Sequence, residues 1–266
     1  MKAVTKITYG EIVDLRFLRY TYSFFSVLDA GLLTLITVLL ISSLLPKILL
    51  LPLTTGCMTV VLYSLILGIV AAKKAGLPSK IAIQIFIKRL VDIIMSGVGL
   101  LVLAPIMLVI MVIIKIESPG PILFKQKRVG LGRKEFAFLK FRTMIRGAEI
   151  EDGSTELQNK RRWITRSGRV LRKFAFDEFP QLINVFKGDM SIVGPRPVLS
   201  YETEYFDSKR FNFLPGITCL WQVKGRNDLT FNDWVKLDME YVTNWSILLD
   251  IKIVLQTIPA ALFGHY

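Results

Sequence analysis

Three observations predict an α+β, helix-rich membrane protein. Of the 266 residues, 52% are hydrophobic, and the mean hydropathy is +0.49, which is too apolar for a basic nucleic-acid-binding module. Long apolar runs crowd into residues 24–114. The remainder, residues 115–266, mixes polar and apolar positions and is punctuated by turn signals. The net charge of +13 calls for an anionic partner. Lipid headgroups or phosphorylated substrates suit this hydropathy better than nucleic acid does. Cys57 and Cys219 form no paired motif, and the single histidine, His265, stands next to the C-terminal residue. No disulfide framework, zinc site or histidine catalysis is therefore expected.

Residues 1–23 read as an N-terminal cytoplasmic segment with Lys2, Lys6, Arg16 and Arg19. Residues 24–72 hold two apolar runs split at Pro46-Lys47, each reaching the about 20 residues that cross a bilayer. A polar stretch precedes the first run and a second follows at once, which predicts a transmembrane hairpin and not a cleaved leader. Cations before the hairpin, and Lys73, Lys74 and Lys80 after it, put both ends in the cytoplasm. Residues 73–89 form a basic linker. The third apolar run is residues 90–114, flanked by Lys88 and Arg89 before it and by Lys115, Lys125, Lys127 and Arg128 after it. A crossing helix would leave one of these clusters outside. Pro105 removes a backbone hydrogen bond and crowds the preceding turn. A helix that breaks at Pro105 and returns to the same side satisfies both facts. A spanning helix with a proline kink satisfies the second, and the residues alone hold the two nearly even.

Residues 115–266 read as a cytoplasmic domain. Ser118-Pro119-Gly120-Pro121 is a turn, and PILFKQKRV and KEFAFLKFRTM on either side of Gly130-Leu131-Gly132 predict a β-hairpin. That GLG lacks the rest of a dinucleotide fingerprint, and no P-loop pattern occurs. Glu149 to Lys160 is a polar loop. KRRWITRSGRVLRKFAF, from Lys160, interleaves cations with apolar residues. It suits an anionic membrane surface or a diphosphate site; a solvated helix face is the plainer alternative, and phosphates of nucleic acid a third. NWSILLDIKIVLQTIPAALF carries Asp250 and Lys252 well inside it, against a full span. An interfacial amphipathic helix and a core helix fit it equally.

The chemistry concentrates at FAFDEFPQLINVFKGDMSIVGPRP, where Asp177 and Glu178 lie between phenylalanines just after the basic run. Without a serine, cysteine or histidine arrangement, carboxylates remain as nucleophile, base or metal ligand. Adjacent helical residues point about 100° apart, so one carboxylate attacks or binds metal while the other supports it. A surface salt-bridge pattern would also give this pair. Arg196, clamped in Gly194-Pro195-Arg196-Pro197, is suited to a preorganised phosphate or base contact. Lys140 and Arg142 in KFRTM could add cations.

Taken in order, KRLVDIIMSGVGLLVLAP, SPGPILFKQKRVGLGRKEFAFLKFRTM, TRSGRVLRKFAFDEFPQLINVFKGDMSIVGPRP, PGITCLWQVKGRND and YVTNWSILLDIKI resemble the bacterial sugar transferase family, the monotopic polyprenyl-phosphate phosphoglycosyl transferases. The resemblance covers roughly Lys88 to the C-terminus. It implies a re-entrant membrane helix broken at Pro105 and a catalytic domain over residues 115–266. It implies transfer of a phosphosugar from a UDP-sugar to polyprenyl phosphate, with release of UMP, on the cytoplasmic face of the bacterial inner membrane. Asp177 maps to the nucleophile and Glu178 to its partner; Mg2+ is the implied cofactor, with Asp177 as its ligand. Arg196 falls in the family's nucleotide-handling turn, and Arg128, Lys140, Arg142 and Arg226 are candidate phosphate contacts. The N-terminal hairpin departs from the family's usual forms, and oligomerisation and lipid contact are both open roles for it. The rival class is a membrane-tethered binding protein without catalysis.

Overall fold

The structure, a computed structural model, describes residues 79–145, 163–225 and 229–263. The hairpin expected at residues 24–72, the segment before it, the loop at residues 149–160, Arg226 and His265 lie outside the described residues.

Helix α1 runs Ser79–Glu117, 39 residues or about 58 Å at the ordinary helical rise. It is the one helix among the described residues long and apolar enough to cross a membrane. It starts earlier than the apolar run, so Lys80, Lys88 and Arg89 belong to the helix and not to a linker. Pro105 lies inside the element and does not end it.

Those early charges are tolerated because the domain neutralises them. Lys88 Nζ donates to Asp250 Oδ2 at 2.6 Å and to the Val193 carbonyl at 2.8 Å. Asp250 also accepts from Tyr241 Oη at 2.8 Å and Trp245 Nε1 at 3.2 Å. Buried Arg89 donates to the carbonyls of Val185 and Phe186 at 2.7 and 3.0 Å. Asp92 Oδ1 accepts the Ile192 N–H at 2.9 Å. Buried charges are costly unless paired in this way.

The predicted hairpin is present: β1, Leu123–Val129, pairs antiparallel with β2, Glu135–Phe141. Gly132 and Arg133 turn the chain with φ of 62° and 59°. Directly opposed residues share a face, so Gln126, Arg128, Phe138 and Lys140 lie on one side. Helix α2, Arg166–Lys173, follows Thr165, whose side chain accepts from the Gly168 N–H. Helix α3, Gln181–Lys187, ends at Gly188 with φ 90°. Buried Asn184 pins it to β2, accepting from the Leu139 N–H at 3.1 Å and donating to the Ala137 carbonyl at 2.7 Å.

Strands β3, Ser191–Val193, and β4, Gly216–Thr218, pair in parallel. Here two backbones pack face to face. A Cβ at Gly216 would lie 2.1 Å from the Gly194 nitrogen, and one at Gly194 would lie 2.2 Å from the Leu214 carbonyl oxygen. Backbone cannot yield as a side chain does. Gly216→Ala is expected to cost about 3 kcal/mol or more, read as a lowered denaturation midpoint in nanodiscs.

Helices α4, Leu220–Lys224, α5, Phe231–Asn244, and α6, Ile247–Phe263, complete the order. The main core joins Val193, Phe213, Leu220, Tyr241, Val242, Trp245 and Ile253. Helix α6 packs one side into the core, with Ile253 and Asp250 buried, and leaves Leu248, Ile251 and Leu255 exposed. A second core sets Met107, Ile110 and Ile114 of α1 against Phe141 and Leu171. Both ends of α1 therefore rest on one domain, while Val98, Leu101, Val102, Leu108 and Val112 remain exposed.

Candidate active site

Ala175, with φ 55°, reverses the chain after α2 and starts a 3-10 turn, Phe176–Glu178. The tight turn buries Asp177 and leaves Glu178 half-buried. The two neighbouring carboxylates thus meet different surroundings, as adjacent residues on a helical turn do. Phe176 packs on Phe174 and Phe179 with ring centroids 5.6 and 5.0 Å apart. Phe179, Phe176 and Phe141 join the α1 core, so the turn rests directly against the apolar helix.

Lys140 reaches the pair from β2. Its Nζ is 2.7 Å from Glu178 Oε1 and 3.8 Å from Asp177 Oδ2. Arg172, in the last turn of α2, adds positive potential and donates through Nε to Thr143 Oγ1 at 2.8 Å. Burial pushes the Asp177 carboxyl above its ordinary range; Lys140 pulls it down, the Glu178 charge raises it, and Arg172 lowers it. Were Asp177 the attacking group that the resemblance implies, it would have to be ionised, and activity would fall as pH drops through this raised pKa. Removing the largest opposing cation raises it further. Lys140→Met is therefore expected to move the acid limb of the pH–activity profile to higher pH, checked by kcat/KM across pH.

The hairpin face links this pair to the proline-clamped turn. Phe138 lies beneath both Lys140 Nζ and the Arg128 guanidinium, 5.6 and 5.7 Å from its ring centroid. Arg128 donates to Gln126 Oε1 at 3.0 and 2.7 Å and to the Pro197 carbonyl at 3.4 Å. The Val129 N–H donates to the Val198 carbonyl at 2.8 Å, joining β1 to the same turn. Arg196 is exposed, its Cζ 5.3 Å from the Trp221 ring centroid. Asp177, Glu178 and Lys140 are thus in contact, while Arg128 and Arg196 stand at the hairpin's other end. Arg142 is placed elsewhere: its buried guanidinium donates to the Ser118 carbonyl and hydroxyl at 2.7 and 2.9 Å and to the Pro119 carbonyl at 3.0 Å. It holds the Ser118–Pro121 turn.

Three further groups shape the site. Arg172 stood in the basic run, and its helical register was the signal that would have singled it out. Arg210 and Asp238 form a buried ion pair at 2.7 Å, and Arg210 Nη2 donates to the Arg196 carbonyl. Nothing in the sequence links residues 28 positions apart in this way.

Among the described residues no three acidic, cysteine or histidine side chains gather as a metal cage. Mg2+ commonly takes only one or two carboxylates and fills its remaining positions with water and substrate phosphates. Asp177 and Glu178 fit that donor set.

The sequence model of the family described as "Bacterial sugar transferase" matches residues 83–264. The exopolysaccharide production protein ExoY of Rhizobium meliloti is 40% identical over 191 residues, covering 65% of this chain and 84% of that protein. The UDP-glucose:undecaprenyl-phosphate glucose-1-phosphate transferase of Caulobacter vibrioides is 40% identical over 188 residues, 66% of this chain and 69% of that one. The undecaprenyl-phosphate galactose phosphotransferase of Salmonella typhimurium is 37% identical over 195 residues, 66% of this chain and 40% of its own length.

Proposed function

The chain belongs to the bacterial sugar transferase family, and from that premise we propose that it passes a phosphosugar from a UDP-sugar to polyprenyl phosphate, an early membrane step of surface glycan assembly. The observation that carries the reading is a buried carboxylate, Asp177, beside a cation at the foot of an apolar helix. Two relatives are named as undecaprenyl-phosphate sugar-phosphate transferases, one with glucose and one with galactose, which supports this reaction class and selects no particular sugar.

Asp177 Oδ attacks the phosphorus that bears the sugar. The new O–P bond forms as the bond to the UMP oxygen breaks, and UMP leaves with that electron pair. The phosphate oxygen of the lipid then attacks the same phosphorus and returns Asp177 as a free carboxylate. Lys140, held by Glu178, balances the charge that gathers at the transferring phosphorus. Asp177 and Glu178 would hold Mg2+, which supplies neutralisation of the donor diphosphate when bound. Arg128 and Arg196 are the candidate contacts for the nucleotide end.

The same reading makes α1 re-entrant on the cytoplasmic face of the inner membrane. A crossing helix carries its ends to opposite faces of an apolar layer about 30 Å thick. Here Arg89 near the start of α1 holds α3, and Glu117 at its end accepts from the Arg166 N–H at 2.6 Å at the start of α2.

The test is UMP release by purified protein in nanodiscs against a panel of UDP-sugars. Turnover is expected with one or a few sugars, and only with polyprenyl phosphate and Mg2+ both present. No release with any sugar would leave a membrane-tethered binding protein.

A further inference from the structure

Successive carbonyls of the proline-clamped turn each have their own donor. The Gly216 N–H donates to Pro195 at 2.9 Å, Arg210 Nη2 to Arg196, Arg128 Nη1 to Pro197 at 3.4 Å and the Val129 N–H to Val198 at 2.8 Å. These donors stand on β4, on the 3-10 turn Ser208–Asn212 and on β1, so the backbone is held from separate elements. Between Val193 and Val198 only Arg196 is exposed. Its guanidinium makes no hydrogen bond among the described residues and lies over the ring of Trp221, Cζ to centroid 5.3 Å. Trp221 is buried, and its other support is Trp234, stacked on it at 4.8 Å with the ring planes 25° apart. Trp234 belongs to α5, four residues before Asp238, the partner of Arg210. Residues four apart share a helix face. One face of α5 thus reaches Arg196 twice: through Trp234 and Trp221 to its side chain, and through Asp238 and Arg210 to its carbonyl.

We propose that Trp221, backed by Trp234, is a positioning residue for the nucleotide donor: its indole face fixes the Arg196 guanidinium before the UDP-sugar arrives. The inference rests on the reading that Arg196 contacts the nucleotide end of that donor. An exposed arginine on a bare surface samples many rotamers, and a ligand that fixes it bears the entropy of doing so. A guanidinium over an indole is held by attraction to the ring and keeps its N–H fork at the edge, open to acceptor oxygens. Arg128, the other candidate contact, spends Nε and Nη2 on Gln126 and Nη1 on Pro197. Arg196 keeps its fork unspent, on a backbone that cannot drift. Trp221 is buried, so it acts on the nucleotide only through the arginine. The hold is the same in the ground state and the transition state, and its loss therefore appears in KM and not in kcat.

A double-mutant cycle in nanodiscs tests this, read both as steady-state kinetics and as the Kd of UDP with Mg2+. Trp221→Leu removes the ring and keeps an apolar side chain; Trp221→Phe keeps a smaller ring. The leucine variant is expected to raise the UDP-sugar KM and the UDP Kd about tenfold, with kcat and the polyprenyl phosphate KM within about twofold. Trp221→Phe should recover most of that loss. Arg196→Ala should weaken UDP at least as much, and Arg196→Ala with Trp221→Leu should be no worse than Arg196→Ala alone, because the ring works through the arginine. Losses that add in the double variant, or that fall on kcat and on both substrates alike, would mean that Trp221 only fills the core and would overturn the proposal. Arg196→Ala alters an exposed side chain, so it supplies a readout that does not depend on Trp221→Leu folding. UDP should change the tryptophan emission of the wild type, as the cation over Trp221 gains a new partner. That change should vanish in Arg196→Ala at saturating UDP; an undiminished change would overturn the proposal. A protein that turns over no UDP-sugar yet shows the expected cycle in UDP affinity would sink the transfer reading and leave the role of Trp221 standing. A wild type that binds no UDP would overturn both.

Discussion

Asp177→Asn is expected to leave a folded, membrane-bound protein whose turnover is at least about a thousandfold slower. Removing an attacking group in covalent catalysis costs this much or more. The substitution keeps shape and volume in a buried position and removes a charge whose burial is itself unfavourable. Lys140 keeps its 2.7 Å contact with Glu178, so no cation is stranded. Thermal midpoint should stay close to wild type while UMP formation disappears. Glu178→Gln loses activity by another route: it releases Lys140 and lowers the Asp177 pKa, because the Glu178 charge raises it. In that variant the acid limb of the pH profile shifts down with whatever activity remains, a shift that Asp177→Asn cannot show.

Arg210→Ala carries the largest expected loss of stability, about 3–5 kcal/mol, since it strands the buried Asp238 carboxylate. Arg210 reaches Asp238 Oδ2 through Nε at 2.9 Å and Nη2 at 2.7 Å, and its Cζ sits 4.1 Å from the Phe206 ring centroid. Burial already pushes the Asp238 carboxyl up, and Arg210 is its first opposing charge. Without the arginine the folded-state pKa rises further. A carboxyl raised in the folded state favours folding below its unfolded pKa and loses that contribution as pH climbs through the folded value. The Arg210→Ala deficit should therefore be largest at neutral pH and shrink toward acid, measured by denaturation at several pH values. Arg210→Met with Asp238→Leu removes both charges and should regain much of the stability. It still lacks the donor to the Arg196 carbonyl. Its KM for the UDP-sugar should remain raised, separating the hold on the Arg196 turn from simple folding.

What the sequence revealed follows from the range of the interactions involved. Alternation and a GLG turn are local, and the β1–β2 hairpin was legible from them. The apolar run of α1 was legible too, but not its start. Lys88 and Arg89 read as linker charges because their partners, Asp250 and the Val185 carbonyl, lie 162 and 96 positions away. Asp250 was taken as a reason against a membrane span, and its work is to anchor α1. The parallel pair β3–β4 is three residues a strand, too short to show a period. The Asp177–Glu178 pair and Arg196 stood out through their neighbours in the chain. Arg142 looked like a phosphate contact because spacing does not reveal that its guanidinium closes the Ser118–Pro121 turn. Arg210 and Asp238 had no local mark at all.

The measurement that bears most directly on the proposed chemistry is intact-protein and peptide mass spectrometry after mixing the protein with its UDP-sugar and Mg2+ and no lipid acceptor. A two-step path predicts about one UMP released per active site, as a covalent burst requires. It also predicts a protein heavier by one phosphosugar, mapped to Asp177, that disappears on adding polyprenyl phosphate. UMP that forms only once the lipid is present, with no adduct on Asp177, would mean direct transfer and would contradict Asp177 as the nucleophile.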